Sequence, residues 1–166
     1  MINIWNDFLL SDEYSNTIKL EYTNKLQPIE SNIRKQKNYH ILDCSSWIHD
    51  CVNELILKNI GNNYCLVDRV TILKYEVGDF FLEHEDGPSN TRLNPNLPNH
   101  FYGGVELSER DEFIGGEFFI NDKNVDFKKG RMFTHGFSDS HGVTMVTHGT
   151  RWSLHFLIKN NKIDLI

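Results

Sequence analysis

The sequence predicts a single, mainly β domain of the double-stranded β-helix type (jelly roll, cupin-like), with helices in its N-terminal part. The chain has 166 residues, enough for one core and short for two. Apolar residues recur at helical spacing only before Gly61. After it, short runs rich in Val, Ile, Phe, Tyr and Thr alternate with Gly, Asn and Asp, as in antiparallel β proteins. We therefore expect residues 1–66 to form helical support and residues 67–166 to form the β-helix core.

Two helices are expected in the N-terminal part. Ser11 is a suitable N-cap for the first helix. Asp12 and Glu13 follow in the first turn, where the positive end of the helix dipole stabilises carboxylates. The second helix ends at Gly61. Its candidate first residues are Asp43, Ser45 and Ser46. Between the two helices, the polar stretch from Pro28 to Lys37 is compatible with a loop or with an exposed helix.

About eight short strands are expected after residue 66. Their predicted bounds are Val67 to Glu76, Phe80 to Glu85, Phe101 to Ser108, Gly116 to Ile120, Asn124 to Phe127, Arg131 to Phe137, Val143 to Val146 and Arg151 to Lys159. The longest turn-rich stretch, Gly87 to Asn99, lies between the second and third of these strands. Such a loop either covers a binding site or only joins two strands, and both interpretations stay open.

The net charge indicates which binding partners the protein can have, and the cysteines indicate the redox state of its compartment. Lys and Arg number 17 against 23 Asp and Glu, a net charge of −6, which argues against a nucleic-acid surface. The 3 cysteines fit no metal spacing and indicate free thiols of a reducing compartment. No basic leader and no apolar run of about 20 residues is present. We expect a soluble intracellular protein without a membrane partner; the sequence does not indicate its oligomeric state.

A short motif at the end of the second predicted strand carries the chemistry. Side chains two apart in a strand share a face, so His84 and Asp86 point the same way and Glu85 points to the other side. Downstream, His141 opens another strand-like run and Arg151 opens the last strand. Two imidazoles and one carboxylate with an open coordination sphere form the facial triad of non-haem Fe(II) oxygenases. About one His-x-acid pair is expected by chance among 8 histidines and 23 acidic residues. The residues that accompany the pair therefore determine whether it indicates a metal site.

An ordered set of residues accompanies this motif. It consists of Tyr75, Gly78 and Phe81 before it, and of Gly115, Gly116, Glu117, Gly130, Phe133, His141, Val143, Val146, Gly149, Arg151 and Ser153 after it. Over Tyr75 to Ile158 the chain resembles the prolyl 4-hydroxylase-like branch of the 2-oxoglutarate- and Fe(II)-dependent oxygenases. The fold implied by this resemblance is the double-stranded β-helix, in agreement with the strand pattern.

The resemblance also implies roles for individual residues. The implied iron ligands are His84, Asp86 and His141. Arg151 matches the basic residue that holds the distal carboxylate of 2-oxoglutarate, for which a planar guanidinium is well suited. Ser153 shares its strand face and is a candidate second donor. Tyr75 matches a tyrosine that reaches the co-substrate in some relatives; a half-buried strand aromatic is the alternative. Fe(II), 2-oxoglutarate and O2 are thus the expected cofactor and co-substrates, with ascorbate a candidate reductant.

Three further histidines compete with these assignments. His135 and His148 are alternatives for the third ligand. His148 lies too close to Arg151 in sequence, and His135 matches nothing in the pattern. His155 shares a strand face with Arg151 and Ser153, so it either lines the pocket or is a core histidine.

The sequence therefore predicts a 2-oxoglutarate-dependent dioxygenase that hydroxylates a substrate carbon with release of succinate and CO2. The resemblance implies a protein or peptide substrate, most often a prolyl residue. One alternative is a nucleic-acid or small-molecule oxygenase on the same scaffold, although the Arg-x-Asn-x-Thr-x-Arg pattern of nucleic-acid demethylases is absent after His141. The other is a non-catalytic jelly-roll metal-binding module in which Arg151 is structural.

Overall fold

A computed structural model describes residues 3–5, 8–86, 101–126 and 128–161. Within these ranges the helices are α1 (Asp12–Tyr22) and α2 (Trp47–Asn59), with one 3-10 turn at Arg110–Glu112. The strands, in chain order, are β1 (Asn3–Trp5), β2 (Gln27–Glu30), β3 (Arg34–Ile41), β4 (Tyr64–Tyr75), β5 (Phe80–His84), β6 (Phe101–Glu106), β7 (Phe113–Gly115), β8 (Phe118–Ile120), β9 (Lys123–Asn124), β10 (Met132–His135), β11 (His141–Val143), β12 (Val146–Gly149) and β13 (Arg151–Asn160). The predicted loop from Gly87 to Asn99 lies outside the described residues.

One antiparallel sheet dominates the described part of the chain and curls on itself. Its strand order is β1-β10-β6-β13-β4-β3-β5-β11-β8-β9, with β2 paired to β3, while β7 and β12 form a separate ribbon. Phe133 on β10 contacts Phe118 on β8, with ring centroids 4.8 Å apart, although these strands lie near opposite ends of that order. The sheet therefore encloses a chamber. The mainly β class is confirmed, and the curled sheet is consistent with a jelly roll.

The two helices pack against the outside of this sheet. The hydroxyl of Ser11 accepts a hydrogen bond from the backbone N–H of Tyr14 at 3.2 Å, and that of Ser46 accepts one from Ile48 at 3.3 Å. Each helix thus begins after a predicted cap. Their buried faces share a core with β4, β6 and β13, made of Ile18, Ile48, Val52, Leu55, Ile56, Val70, Ile72, Val105, Trp152, Leu154, Phe156 and Ile158. Neither helix is long and apolar enough to cross a membrane.

The prediction of a loop or an exposed helix from Pro28 to Lys37 is wrong. This stretch contains β2 and the first half of β3. The inward positions of β3 carry polar residues, and Gln36 and Asn38 are buried at 3% and 7% exposure. Because those side chains face a polar chamber, the strand lacks the apolar alternation by which strands are recognised. The segment expected to be helical support therefore contributes strands as well.

The strand predicted from Val143 to Val146 is also wrong, because the chain changes sheets there. β11 ends at Val143 and pairs with β5 and β8, whereas β12 begins at Val146 and pairs with β7. Gly115 and Gly116, at the end of β7, adopt positive φ angles of 74° and 64°. A Cβ at Gly115 would collide with the carbonyl oxygen of Met145. Only glycine permits this close approach. The short strands β1 and β7 were not predicted.

Asn59 ties the N-terminal segment to the end of α2. Its Oδ1 accepts from the backbone N–H of Phe8 at 3.1 Å, and its Nδ2 donates to the carbonyls of Phe8 at 2.9 Å and Leu55 at 3.0 Å. The side chain is 8% exposed, so water cannot easily replace these partners.

We expect Asn59→Ala to lower the free energy of unfolding by about 2 kcal/mol, because the half-buried backbone N–H and carbonyl of Phe8 both lose their partner. Chemical denaturation measures this change. The control is Lys58→Ala, which removes an exposed side chain at the neighbouring position of α2 and should change stability by less than about 0.5 kcal/mol. Equal losses in the two variants would contradict the assigned role of Asn59.

Candidate active site

His84 and His141 lie opposite each other on two neighbouring strands. His84 ends β5, His141 begins β11, and their Cα atoms are partners in the antiparallel register. The ring centroids are 4.4 Å apart. Asp86 lies just beyond β5, and its carboxylate oxygens are 3.8 Å from Nε2 of His84 and 3.5 Å from Nε2 of His141. The fold thus brings the three residues together from distant parts of the sequence.

Backbone carbonyls determine which nitrogen of each imidazole faces this cluster. Nδ1 of His84 lies 2.8 Å from the carbonyl oxygen of Leu82, and Nδ1 of His141 lies 2.9 Å from that of Asp139. A carbonyl oxygen only accepts, so Nδ1 carries the proton and Nε2 keeps its lone pair. One ligand atom from each of the three residues lies within 4.8 Å of the others. Two neutral imidazoles and a carboxylate in this arrangement fit a divalent ion such as Fe(II).

The surroundings of His84 and Asp86 favour the uncharged forms of these two groups while no cation is bound. Burial lowers the pKa of His84, and the neighbouring His141 adds to this effect. Burial also raises the pKa of Asp86, against the attraction of the two imidazoles. Phe81 stacks on His84 with ring centroids 3.8 Å apart and shields one face of the imidazole. A bound cation would reverse the effect on Asp86 and favour the carboxylate.

The cluster opens into the chamber enclosed by the curled sheet. The chamber has a volume of about 660 Å³, within the usual range of about 300–1,000 Å³ for small-molecule sites. Three arginines line it: Arg34 from β3, Arg69 from β4 and Arg151 from β13. The lining also contains the carboxylates of Glu85 and Asp86, so its positive groups are the three arginines and any cation held by the cluster, and these suit a small anionic molecule.

Arg151 forms a buried ion pair that the sequence did not indicate. Its Nε donates to Oε2 of Glu106 at 3.0 Å, and the two residues are only 2% and 1% exposed. Burial raises the pKa of Glu106, whereas the Arg151 guanidinium favours its charged form. Glu106 ends β6, which pairs with β13. Only this long-range pairing brings the two side chains together, so no local sequence signal could have found Glu106.

The other two predicted co-substrate residues also line the chamber. Tyr75 ends β4 directly opposite Arg151, whose guanidinium carbon lies 5.5 Å from the centre of the tyrosine ring. Burial raises the pKa of the Tyr75 phenol, so this group is a neutral hydrogen-bonding group. Ser153 follows on the same face of β13 and is 3% exposed. Arg151, Tyr75 and Ser153 therefore occupy one wall of the chamber.

Two further histidines, His135 and His155, lie next to the cluster. The His135 ring centroid is 4.4 Å from that of His141, and burial lowers the pKa of His135 to about 3. His155 is half-buried and stacks on Tyr102, with ring centroids 4.9 Å apart. Burial also lowers the pKa of His155. For His155 the sequence left open whether it lines the pocket or belongs to the core, and the structure places it in the lining of the chamber. The position of His135 was not predicted, because only the curl of the sheet brings β10 to β11.

No family model and no curated protein matches the sequence. Solved structures match over most of the chain. A collagen prolyl hydroxylase of Paramecium bursaria Chlorella virus-1, solved with 2-oxoglutarate, is 16% identical, with a TM-score of 0.69 over 95% of this chain and 94% of that one. A Trichoplax adhaerens prolyl hydroxylase, solved with a hypoxia inducible factor peptide, is 16% identical, with a TM-score of 0.66 over 97% of this chain and 84% of that one.

The similarity extends to an enzyme with a different activity. A non-haem α-ketoglutarate-dependent carbocyclase of nogalamycin biosynthesis is 13% identical and has a TM-score of 0.72, over 96% of this chain and 79% of that one. All three similarities span the helices as well as the curled sheet. The chain therefore has the fold of the 2-oxoglutarate- and Fe(II)-dependent oxygenases, a group that includes the prolyl 4-hydroxylases.

Proposed function

We propose that this chain is a 2-oxoglutarate- and Fe(II)-dependent dioxygenase in which residues 1–166 form one domain on a double-stranded β-helix. The observation that carries the proposal is the convergence of His84, Asp86 and His141 on one point of a chamber whose wall contains a buried arginine. A facial set of two imidazoles and a carboxylate leaves coordination positions open for other molecules.

The roles of the iron-binding residues follow from their contacts. His84 and His141 would bind through Nε2, because the backbone carbonyls of Leu82 and Asp139 hold their Nδ1–H groups. Asp86 would supply the negative charge. When bound, Fe(II) would supply the oxidation chemistry, with 2-oxoglutarate and O2 as co-substrates, succinate and CO2 as products, and ascorbate as a candidate reductant.

Arg151 would hold the distal carboxylate of 2-oxoglutarate, assisted by Ser153 and Tyr75. A guanidinium carries five N–H donors, and the contact of Arg151 with Glu106 uses the one on Nε. A carboxylate at the terminal nitrogens is compatible with that contact. Because the site is buried, the charge-assisted hydrogen bonds are stronger than they would be in water.

For the substrate we propose a peptidyl residue, with proline as the first candidate. Two of the similar structures are prolyl hydroxylases, and one of them was solved with a peptide. The similar carbocyclase makes a small-molecule substrate the alternative. Nucleic acid is disfavoured by the net charge of −6.

A non-catalytic metal-binding module is the second candidate function. One specific observation favours it: Arg151 already has a buried partner in Glu106, as expected of a structural arginine. The two functions differ in whether 2-oxoglutarate binds next to the metal, and this difference can be measured.

The direct test of the proposed function is product analysis. The chain would be incubated with Fe(II), 2-oxoglutarate, O2 and a library of proline-containing peptides. We expect one peptide to gain a single oxygen by mass spectrometry, with succinate released in equal amount and none with His141→Ala. Succinate release stimulated only by small molecules would contradict the peptide class. Its absence under all conditions would contradict the dioxygenase.

Binding of the two ligands should be visible without any substrate. We expect the protein to develop a metal-to-ligand charge-transfer band when Fe(II) and 2-oxoglutarate are added anaerobically. His84→Ala should abolish the band. Loss of a residue that only hydrogen-bonds a metal ligand weakens metal binding by about 10–100-fold, so loss of a ligand itself should weaken it by more than about 100-fold. The control His148→Ala changes an exposed histidine on β12 and should retain it. A band of equal strength in His84→Ala would contradict the assignment.

The role of Arg151 can be separated from its pairing with Glu106. Arg151→Gln alone would leave a buried carboxylate uncompensated, so the informative variant is the double substitution Glu106→Gln with Arg151→Gln. We expect its dissociation constant for 2-oxoglutarate, titrated through the band, to rise at least about 10-fold relative to the wild type, because a charge-assisted hydrogen bond is lost. Fe(II) affinity should not change. A dissociation constant equal to that of the wild type would assign Arg151 to structure.

The metal-free protein should lose stability on acidification because of His135. Its pKa is about 3 in the fold against 6.5 ordinarily, so between these values the unfolded chain binds a proton and the folded chain does not. Lowering the pH through this range should then cost about 1.4 kcal/mol of unfolding free energy per pH unit. Denaturation at pH 6.5, 5.5 and 4.5 should show a smaller loss in His135→Phe than in the wild type or in the control His148→Phe. Identical slopes would contradict this reasoning.

A further inference from the structure

Asp86 belongs to a second group of potential metal ligands besides the one described above. Ligand atoms of Asp86, His135 and His155 also lie within 4.8 Å of one another. Among the described residues, these are the two groups with this property. His135 ends β10 and His155 lies on β13, so rigid strands hold both imidazoles in place.

The state of His135 indicates what this group binds. Its Nδ1 lies 3.1 Å from the carbonyl oxygen of Gly136, so Nδ1 carries the proton and Nε2 has only a lone pair. Nε2 is buried, in a residue only 1% exposed, and has no hydrogen-bond partner in the described part of the chain. A buried acceptor of this kind is unfavourable unless something occupies the space beside it. A lone pair selects a cation or a hydrogen-bond donor over an anion.

The ring planes of the two histidines are set by one aromatic neighbour. Tyr102 stacks on His155 at 4.9 Å and on His135 at 5.6 Å between ring centroids. The rings of His135 and His155 are themselves within 25° of parallel. The two imidazoles are therefore held in one arrangement before any ligand arrives, which lowers the entropic cost of binding.

We propose that Asp86, His135 and His155 form a second divalent-cation position beside that of His84, Asp86 and His141, with the Asp86 carboxylate bridging the two. Two imidazole nitrogens and a carboxylate oxygen suit a first-row transition ion such as Zn(II), Co(II) or Ni(II). Paired metal ions that share ligands are commonly about 3.5–4 Å apart, a separation that a bridging carboxylate spans.

The second ion binds more weakly than the first. Four neutral imidazoles and one carboxylate compensate little of the charge of two dications, and the ions repel each other across a buried space, so the second affinity is lower by at least about 10-fold. The inference does not depend on 2-oxoglutarate chemistry, since it concerns only how many ions the chain holds.

Counting bound ions tests the inference. The metal-free full chain is dialysed against increasing Co(II), and bound metal is measured by elemental analysis together with the visible absorption of Co(II). We expect the wild type to reach two ions per chain. His155→Phe, which keeps an aromatic ring against Tyr102, should stop at one. The control His148→Phe should reach two, and His84→Ala, which retains the second group intact, should hold one.

A wild type that saturates at one ion would overturn the inference, as would a His155→Phe variant that still binds two. Circular dichroism checks that each variant folds, and His135→Phe provides a second substitution with the same expected loss of one ion. The charge-transfer band with Fe(II) and 2-oxoglutarate reports only on the first position. A chain that binds one ion and develops the band would contradict the second metal position and leave the proposed function intact. A chain that binds two ions and develops no band would contradict the proposed function and leave the second metal position intact.

Discussion

The antiparallel pairing of β5 with β11 is the constraint on which the proposed active site depends. This pairing sets His141 opposite His84, and β8 pairs with β11 from its other side and holds the register. A slip by one residue would turn His141 to the opposite face of the sheet. Gly142 permits this close packing, because a Cβ there would meet the Phe81 carbonyl oxygen at 2.7 Å.

The second constraint is electrostatic. The chamber wall contains a buried ion pair, Glu106 and Arg151. Removing these two charges from water costs free energy, so the pair by itself contributes little to the stability of the fold. Apolar residues of similar size would serve a purely structural wall as well. The guanidinium lines the same chamber as the cluster of metal-type ligands, and its burial there is accounted for if it recognises an anion. On this ground we propose the oxygenase and not the binding module, although the pairing with Glu106 by itself also fits a structural arginine.

Part of the site was predictable from local periodicity, whereas the roles of His141 and Arg151 were implied by the family resemblance. A period of two places His84 with Asp86, and Arg151 with Ser153, while cap residues mark both helix starts. The remainder depends on the curl of the sheet. The polar inner face of β3 resembles a loop in sequence, and the partners Glu106 and His135 become visible only when distant strands pair. Polar chambers remove the apolar signal by which strands are recognised.

The proposed active site requires that three side chains bind one ion, through Nε2 of His84, Nε2 of His141 and an oxygen of Asp86. Anomalous X-ray scattering at the metal edge, from crystals grown with Fe(II) under anaerobic conditions, measures this directly. We expect a peak about 2.0–2.2 Å from all three atoms, as usual for such ligands. A metal-loaded crystal whose peak lies outside bonding distance of any of the three would contradict the account.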